Sequence, residues 1–329
     1  MGPRTRMLVI VGVVAAVAAG GTVALAVITS SDEGGKPQTE TPLAGAPPLV
    51  LDLGVRVDPE ARALRRAERL YSQKRRAAAG RVFERYDSPE AQVGAAFATW
   101  PDSSLARIER MAEEQPRNSL VLLHLGYANL WAGEDEDAAS AWRRAAQAQP
   151  DSASAQRADD ALHPDFPPGQ PLFVPSFRPP RSLARLQPAA QLAALERRAR
   201  KQDAHAKLLY GLALQRLGHR ISARRQYEAA AKLAPRDADA QVAAAVGRFD
   251  KTRPTEAFSR LGPLTRRFPE AATVRFHLGL LLLWLARNRP GSVDEARRQL
   301  RLAQQEEPGS RMAREAKRLL AGLEDIETR

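Results

Sequence analysis

Apolar residues recur at helical spacing in consecutive pairs of segments along most of the chain. One pair covers residues 119–131 and 137–148, and a polar break of Gly133, Glu134 and Asp135 separates its two members. Apolar positions three and four residues apart form one face of an α-helix, and a short break between two such segments lets them pack against each other. The pattern therefore predicts a series of helical hairpins.

Prolines mark the interval at which the hairpins repeat. Pro116 and Pro150 are 34 residues apart, and so are Pro235 and Pro269. The step from Pro269 to Pro308 is 39 residues, which is one interval plus a five-residue insertion. A fixed interval of this length is typical of repeat proteins whose units stack and bury a shared core.

The repeated positions resemble those of the tetratricopeptide repeat, a unit of two antiparallel helices. Small residues stand where two helices cross, and large apolar residues stand where neighbouring helices pack. In one repeat the matching positions are Leu122, Leu125, Gly126, Asn129, Ala138, Trp142 and Ala145. In another they are Tyr210, Gly211, Leu214, Ala223, Tyr227 and Ala230. The resemblance implies an all-α, right-handed solenoid of about six hairpins. It places repeats at residues 59–150 and 203–308 and a capping helix at residues 309–329.

An insert at residues 151–202 separates the two groups of repeats and ends in a connecting helix. Its central part, residues 163–180, reads HPDFPPGQPLFVPSFRPP. Proline at this density prevents a helix and favours extended backbone. Apolar side chains in this part predict that it packs along the solenoid, at Phe166, Leu172, Phe173, Val174 and Phe177. Three interpretations stay open, namely a loop clamped between the two halves, a docking segment for a partner, and a hinge.

The N-terminus carries an uncharged run at residues 7–28, long enough for a transmembrane helix. Residues 1–6 contain Arg4 and Arg6, so the positive-inside tendency places this end in the cytoplasm and the repeats outside it. The sequence thus predicts a single-pass cell-membrane protein of bacterial type. A cleaved secretory signal is the competing interpretation, because Ala24, Leu25 and Ala26 have the small-x-small pattern of a cleavage site.

Residues 29–58 are rich in Ser, Gly, Thr and Pro and are predicted to form a flexible linker. Apolar residues 49–51 and 53–55 near its end are expected to add a short extended contact to the folded domain.

Few residues offer catalytic or metal-binding chemistry. The chain has no cysteine, which excludes disulfides, thiol nucleophiles and Cys-ligated metals. Its five histidines are scattered, and His124 and His277 each stand two residues before a repeat glycine, which favours a packing role. We therefore expect no catalytic residue, no cofactor and no metal, and predict that the protein is not an enzyme.

The chain has 50 Lys and Arg against 38 Asp and Glu, a net charge of +12. The predicted outward topology disfavours nucleic acid as a partner. Arginine pairs on predicted helix faces indicate an alternative function, that of an envelope assembly factor that binds anionic lipid or polysaccharide. These pairs are Arg65 and Arg66, Arg75 and Arg76, Arg197 and Arg198, Arg224 and Arg225, and Arg266 and Arg267.

In tetratricopeptide arrays the first helix of each hairpin lines a concave groove, so the resemblance also implies a binding surface. Large apolar residues suited to an extended peptide or a helix dominate the matching positions. They are Leu123, Tyr127, Leu130, Trp131, Leu208, Leu212, Arg216, Phe249, Phe276, Leu280, Leu283 and Trp284. The same residues would also fit a second interpretation, in which they pack against neighbouring repeats or the insert. The predicted function is a membrane-anchored scaffold for protein–protein interaction at the cell envelope.

Overall fold

The computed structural model describes residues 42–286 and 288–327, and these residues form sixteen α-helices and no strand. They divide into two compact units, an N-terminal unit that ends at Leu162 and a C-terminal unit that begins at His163. The helices of the N-terminal unit are α1 Pro59–Ser72, α2 Arg76–Phe83, α3 Pro89–Ala98, α4 Ser104–Glu114, α5 Ser119–Ala132, α6 Asp135–Ala148 and α7 Ala153–Leu162.

The C-terminal unit has the same plan with two additional helices at its start. Its helices are α8 Arg181–Ala184, α9 Pro188–Ala199, α10 Ala204–Arg216, α11 Arg220–Leu233, α12 Ala238–Val246, α13 Thr255–Arg267, α14 Ala272–Trp284, α15 Ser292–Glu306 and α16 Arg311–Glu327. The predicted six hairpins are confirmed, three in each unit. They are α1 with α2, α3 with α4, α5 with α6, α10 with α11, α12 with α13, and α14 with α15.

Short polar side chains fix the start of the first helix in five of the six hairpins. In each case the side-chain oxygen accepts a hydrogen bond from a backbone N–H in the first turn, which satisfies a donor that the helix itself leaves unpaired. These caps are Asp58, Ser88, Asn118, Asp203 and Asp237. The caps explain why the hairpins begin at a regular interval even where the apolar pattern is weak.

Glycine and alanine let the two helices of a hairpin approach closely. A Cβ atom added to Gly126 on α5 would lie 2.2 Å from Nε1 of Trp142 on α6. The corresponding atom on Gly211 would lie 2.6 Å from the Tyr227 ring, and on Gly279 it would lie 2.9 Å from Cγ of Leu300. The large residue of each second helix therefore occupies the space that a glycine on the first helix leaves open.

Each unit ends in a helix that covers its last hairpin. In the C-terminal unit α16 buries Met312, Leu319 and Leu323, as predicted for a cap. In the N-terminal unit α7 has this role and packs on α5 and α6, although the sequence interpretation placed it in the insert. Its apolar face is made of small residues, with Ala155 and Ala158 buried, and this weak pattern does not reveal a cap.

Two extended segments complete the units. Residues 42–57, here called the N-strap, lead into α1, and residues 164–180, here called the C-strap, lead into α8. The N-strap corrects the predicted flexible linker at residues 29–58 for its described part, because Leu49, Leu51 and Leu53 are buried in the core of the N-terminal unit. Residues 29–41 lie outside the described residues. The extended contact expected from these residues is thus confirmed.

The predicted transmembrane helix at residues 7–28 lies outside the described residues. Among the helices that the structure does describe, none combines the length and the apolar character that crossing a bilayer requires.

We expect Gly126→Ala to lower the free energy of unfolding of the N-terminal unit by about 2 to 3 kcal/mol, because the rigid Trp142 indole has to move. Gly279→Ala meets the flexible Leu300 side chain instead, and its cost in the C-terminal unit should be about 1 kcal/mol. Amide hydrogen exchange of α6 and α15 measures each unit separately. Equal protection of α6 in wild type and Gly126→Ala would contradict the packing described.

Candidate functional site: two occupied grooves

The first helices of the hairpins form a surface in each unit, and a strap lies along each surface. In the N-strap the side chains alternate as in any extended chain. Leu49, Leu51 and Leu53 are buried, whereas Val50 and Asp52 are half-buried. The strap thus fills its groove with one face and leaves the other face toward solvent.

Side chains of the first helices bind the backbone of the N-strap. The Tyr71 hydroxyl on α1 donates to the carbonyl of Pro47 at 2.7 Å. The N–H of Val50 donates to Nε2 of His124 on α5 at 3.3 Å, and the N–H of Leu51 donates to the Glu68 carboxylate at 2.9 Å. Burial raises the pKa of Glu68, and the bond from Leu51 partly offsets that effect.

Arg65 on α1 also binds backbone of the N-strap. Its guanidinium donates to the carbonyl of Gly54 at 2.9 Å and to that of Arg56 at 2.5 Å. This residue belongs to one of the arginine pairs that the sequence suggested for anionic partners. Its side chain is engaged within the fold instead.

The C-strap is held in the same way. Nε2 of Gln215 on α10 donates to the carbonyl of Pro171 at 2.9 Å, and the N–H of Val174 donates to Nε2 of His277 on α14 at 2.9 Å. Between these two bonds the Phe173 ring is buried, stacked on His277 at 5.4 Å and edge-on to Tyr227 at 5.7 Å. The predicted packing of the insert on helical repeats is confirmed within the C-terminal unit.

Two further contacts hold the end of the C-strap. The carboxylate of Asp239, at the start of α12, accepts hydrogen bonds from the N–H of Ser176 at 2.9 Å and from its hydroxyl at 2.6 Å. Thr273 donates to the other oxygen of the same buried carboxylate at 2.8 Å. The Arg311 guanidinium on α16 donates to the carbonyls of Pro175 and Phe177, both at 3.0 Å.

The two grooves bind the backbone of their straps in the same register. The bound carbonyl and the bound N–H are three residues apart in both, at Pro47 and Val50 and at Pro171 and Val174. Tyr71 and Gln215 each stand four residues after the small residue of their helix, and both histidines stand two residues before a glycine. Equivalent positions of the repeats therefore supply the donor and the acceptor in each unit.

Nε2 of each histidine can accept a hydrogen bond from the strap because Nδ1 already donates one to a backbone carbonyl. Nδ1 of His124 lies 2.7 Å from the carbonyl of Leu120, and Nδ1 of His277 lies 2.7 Å from that of Thr273. A carbonyl requires a donor, so Nδ1 carries the proton and Nε2 is the free acceptor. Both rings are fully buried, and this burial lowers the pKa of each histidine to about 4.

Gln215 is fixed in its orientation by a second buried residue. The Tyr227 hydroxyl donates to Oε1 of Gln215 at 2.9 Å, so the amide must present Nε2 to Pro171. Burial of Tyr227 raises the pKa of its hydroxyl, which keeps the proton on the donor.

Most of the predicted groove residues lie beneath the straps or in the cores. Leu123 is buried in the N-terminal unit, where Tyr127, Leu130 and Trp131 are half-buried. In the C-terminal unit Arg216 is exposed, and the other predicted residues are buried. These are Leu208, Leu212, Phe249, Phe276, Leu280, Leu283 and Trp284.

The sequence interpretation missed the polar residues that bind the straps, namely Tyr71, His124, Gln215, Asp239 and His277. A signal was present for the two histidines, because His-Leu-Gly occurs at the same repeat position in both units. They are packing residues, as predicted, and they also accept a backbone hydrogen bond. No signal marked Gln215 or Tyr71, whose role depends on which segment lies over them.

No protein-family model and no curated protein matches this sequence. Several solved structures are similar to it. A tetratricopeptide repeat protein from Parabacteroides merdae is 11% identical with a TM-score of 0.33, over 80% of this chain and 98% of that one. The C-terminal part of a repeat protein from Cytophaga hutchinsonii is 14% identical with a TM-score of 0.29, over 77% and 98% of the two chains. Yeast Tom70 is 12% identical with a TM-score of 0.29, over 86% and 60%.

We expect acid to loosen both straps. An unfolded histidine titrates near pH 6.5, so between about pH 6.5 and pH 4 the unfolded state binds more protons and stability falls as the pH falls. Protonation of each histidine should lower the free energy of unfolding by up to about 3 kcal/mol once the pH is below this range. Arg157 is the charged group that faces His124, and Asp239 is the one that faces His277.

Protection factors of the Val50 and Val174 amides, measured by hydrogen exchange at pH 7 and pH 5, test this expectation. His277→Gln is the matched control, because it should remove the pH dependence at Val174 and leave that at Val50. Protection of both amides that does not change with pH would contradict the role given to the imidazoles.

Proposed function

We propose that the protein is a membrane-anchored scaffold that binds other proteins at the cell envelope. The observation that supports this proposal is that each unit already holds an extended peptide segment along its first helices, by apolar burial and backbone hydrogen bonds. Grooves of this kind recognise extended segments of other chains by the same contacts. The tetratricopeptide-like hairpins support the same function, and the residues that bind the straps suggest recognition rather than catalysis.

The anchor and its orientation are part of this proposal. They rest on the uncharged run at residues 7–28 and on the two arginines before it. Such an anchor would end fifteen residues before Leu43, since the run ends at residue 28 and the N–H of Leu43 donates to the carbonyl of Trp131 at 3.1 Å.

A second candidate function is supported by the distribution of charge. Residues 163–329 contain 31 Lys and Arg against 17 Asp and Glu, a net charge of +14, whereas residues 42–162 contain 16 against 18, a net charge of −2. Arg224, Arg225, Arg260 and Arg266 are exposed in the C-terminal unit. A unit of this charge attracts anionic lipid headgroups or polyanions, and salt screens that attraction.

We expect a photo-crosslinking amino acid at Arg216 to capture a defined protein in intact cells. Arg216 is exposed and ends the first helix of its hairpin, beside the groove. The matched control is the same amino acid at Arg225, which is exposed on the second helix α11. Mass spectrometry identifies the captured protein. Recovery of the same proteins from both positions, or of none from Arg216, would count against the scaffold.

Removal of residues 1–41 distinguishes membrane binding by the anchor from electrostatic binding by the C-terminal unit. We expect the full chain to stay in the membrane fraction after a high-salt wash and the shortened chain to be released. At low salt the shortened chain should still sediment with phosphatidylglycerol vesicles if the second candidate holds, and should dissociate at high salt because exposed charges are screened. Binding to neutral vesicles to the same extent would exclude the electrostatic explanation, and release of the full chain by salt would exclude the anchor.

A further inference from the structure

The two grooves hold different side chains through the same backbone atoms. The residue buried between the bound carbonyl and the bound N–H is Leu49 in one unit and Phe173 in the other. The donor to the carbonyl also differs, a tyrosine hydroxyl in one and a glutamine amide in the other. Both grooves therefore hold an extended backbone in the same register with one apolar side chain buried, a leucine in one unit and a phenylalanine in the other.

An empty groove would leave buried polar atoms without partners. In the C-terminal unit the strap supplies the donor to Nε2 of His277, the acceptor for Nε2 of Gln215 and two of the donors to Asp239. Each buried polar group left unpaired costs about 1 to 3 kcal/mol. A state without the C-strap is thus favourable only when another segment brings the same groups to the same places.

An opening lies beside the end of the C-strap. A pocket of about 590 Å³ has Ser176 and Phe177 of the strap in its wall, together with Asp239 and Thr273. The pocket at the equivalent end of the N-strap, which is lined by Asp52 and Ser154, has only about 200 Å³. An incoming segment therefore has more room to begin pairing at the C-strap, next to the carboxylate that holds Ser176.

We propose that an extended segment of a partner protein replaces the C-strap in the groove of the C-terminal unit. This inference rests on the proposed scaffold function and specifies its ligand. The segment has a proline whose carbonyl meets Gln215, a large apolar residue two positions later in the Phe173 site, and a residue with a free N–H at the third position for His277. Proline favours the extended conformation in advance and so lowers the entropic cost of binding.

The absence of cysteine allows the strap to be locked by a single engineered disulfide. Ser176 and Asp239 are chosen because their side chains are in direct contact, with oxygens 2.6 Å apart, and mass spectrometry of the oxidised protein checks that the disulfide forms. In the full chain carrying Ser176→Cys and Asp239→Cys, oxidation fixes the C-strap, and reduction leaves it without the bonds to Asp239. The probe is a fluorescent peptide with the sequence of residues 168–178, followed by anisotropy.

We expect the reduced variant to bind the peptide and the oxidised variant to bind at least tenfold more weakly. A peptide N-methylated at the position of Val174 should bind the reduced variant about tenfold more weakly, because it cannot donate to His277. The control variant carries Asp52→Cys and Ser154→Cys, whose side-chain oxygens are 3.4 Å apart and which lock only the N-strap. Oxidation of this control should not change peptide binding.

Equal binding to the oxidised and reduced forms would overturn the proposal, because the peptide would then occupy another surface. No binding to the reduced variant or to Phe173→Ala, whose strap lacks the buried ring, would overturn it as well. A dimer of the reduced variant would show that a second copy supplies the occupant instead. If the locked protein still crosslinks a partner through position 216, the scaffold function stands and only the exchange fails.

Discussion

In both units a fully buried histidine needs a donor for Nε2, and the strap is the segment that supplies it. The constraint arises because Nδ1 already donates to a carbonyl one helical turn earlier, so the ring cannot turn away without losing that bond. The strap in turn brings buried apolar side chains over the first helices and so completes the core. Hairpin packing, strap position and the polarity of the groove therefore depend on one another in each unit.

The sequence predicts the hairpins well because their determinants are local. Apolar spacing, a capping residue such as Asn118 and a glycine such as Gly126 all act within one or two turns. The straps were predicted only as apolar contacts, since the bonds that position them join residues 74 and 103 positions apart. Nothing in the neighbourhood of Gln215 or Asp239 indicates which backbone will lie over it. The candidate site could therefore be located only as a surface.

The distribution of charge is a second feature that the sequence alone does not reveal. The net charge of +12 reads as a general property of an arginine-rich protein. Once the structure divides the chain at residue 163, the excess lies in one unit, and the other is close to neutral. Arginines also differ in what they do. Arg65 and Arg311 bind strap carbonyls, whereas Arg224 and Arg225 are exposed, so a count of basic residues alone does not define a surface.

The prolines of the straps have a consequence for association between copies of the chain. An extended segment on a protein surface normally presents free N–H groups that a strand of another molecule can pair with, which is a common route to aggregation. Proline has no N–H, and the C-strap contains seven prolines, at positions 164, 167, 168, 171, 175, 179 and 180. Of the donors that remain, those of Phe173, Val174 and Ser176 point into the groove. Prolines and groove-bound donors together make up most of the central residues 171–176, so this part of the strap is a poor template for a growing β-sheet.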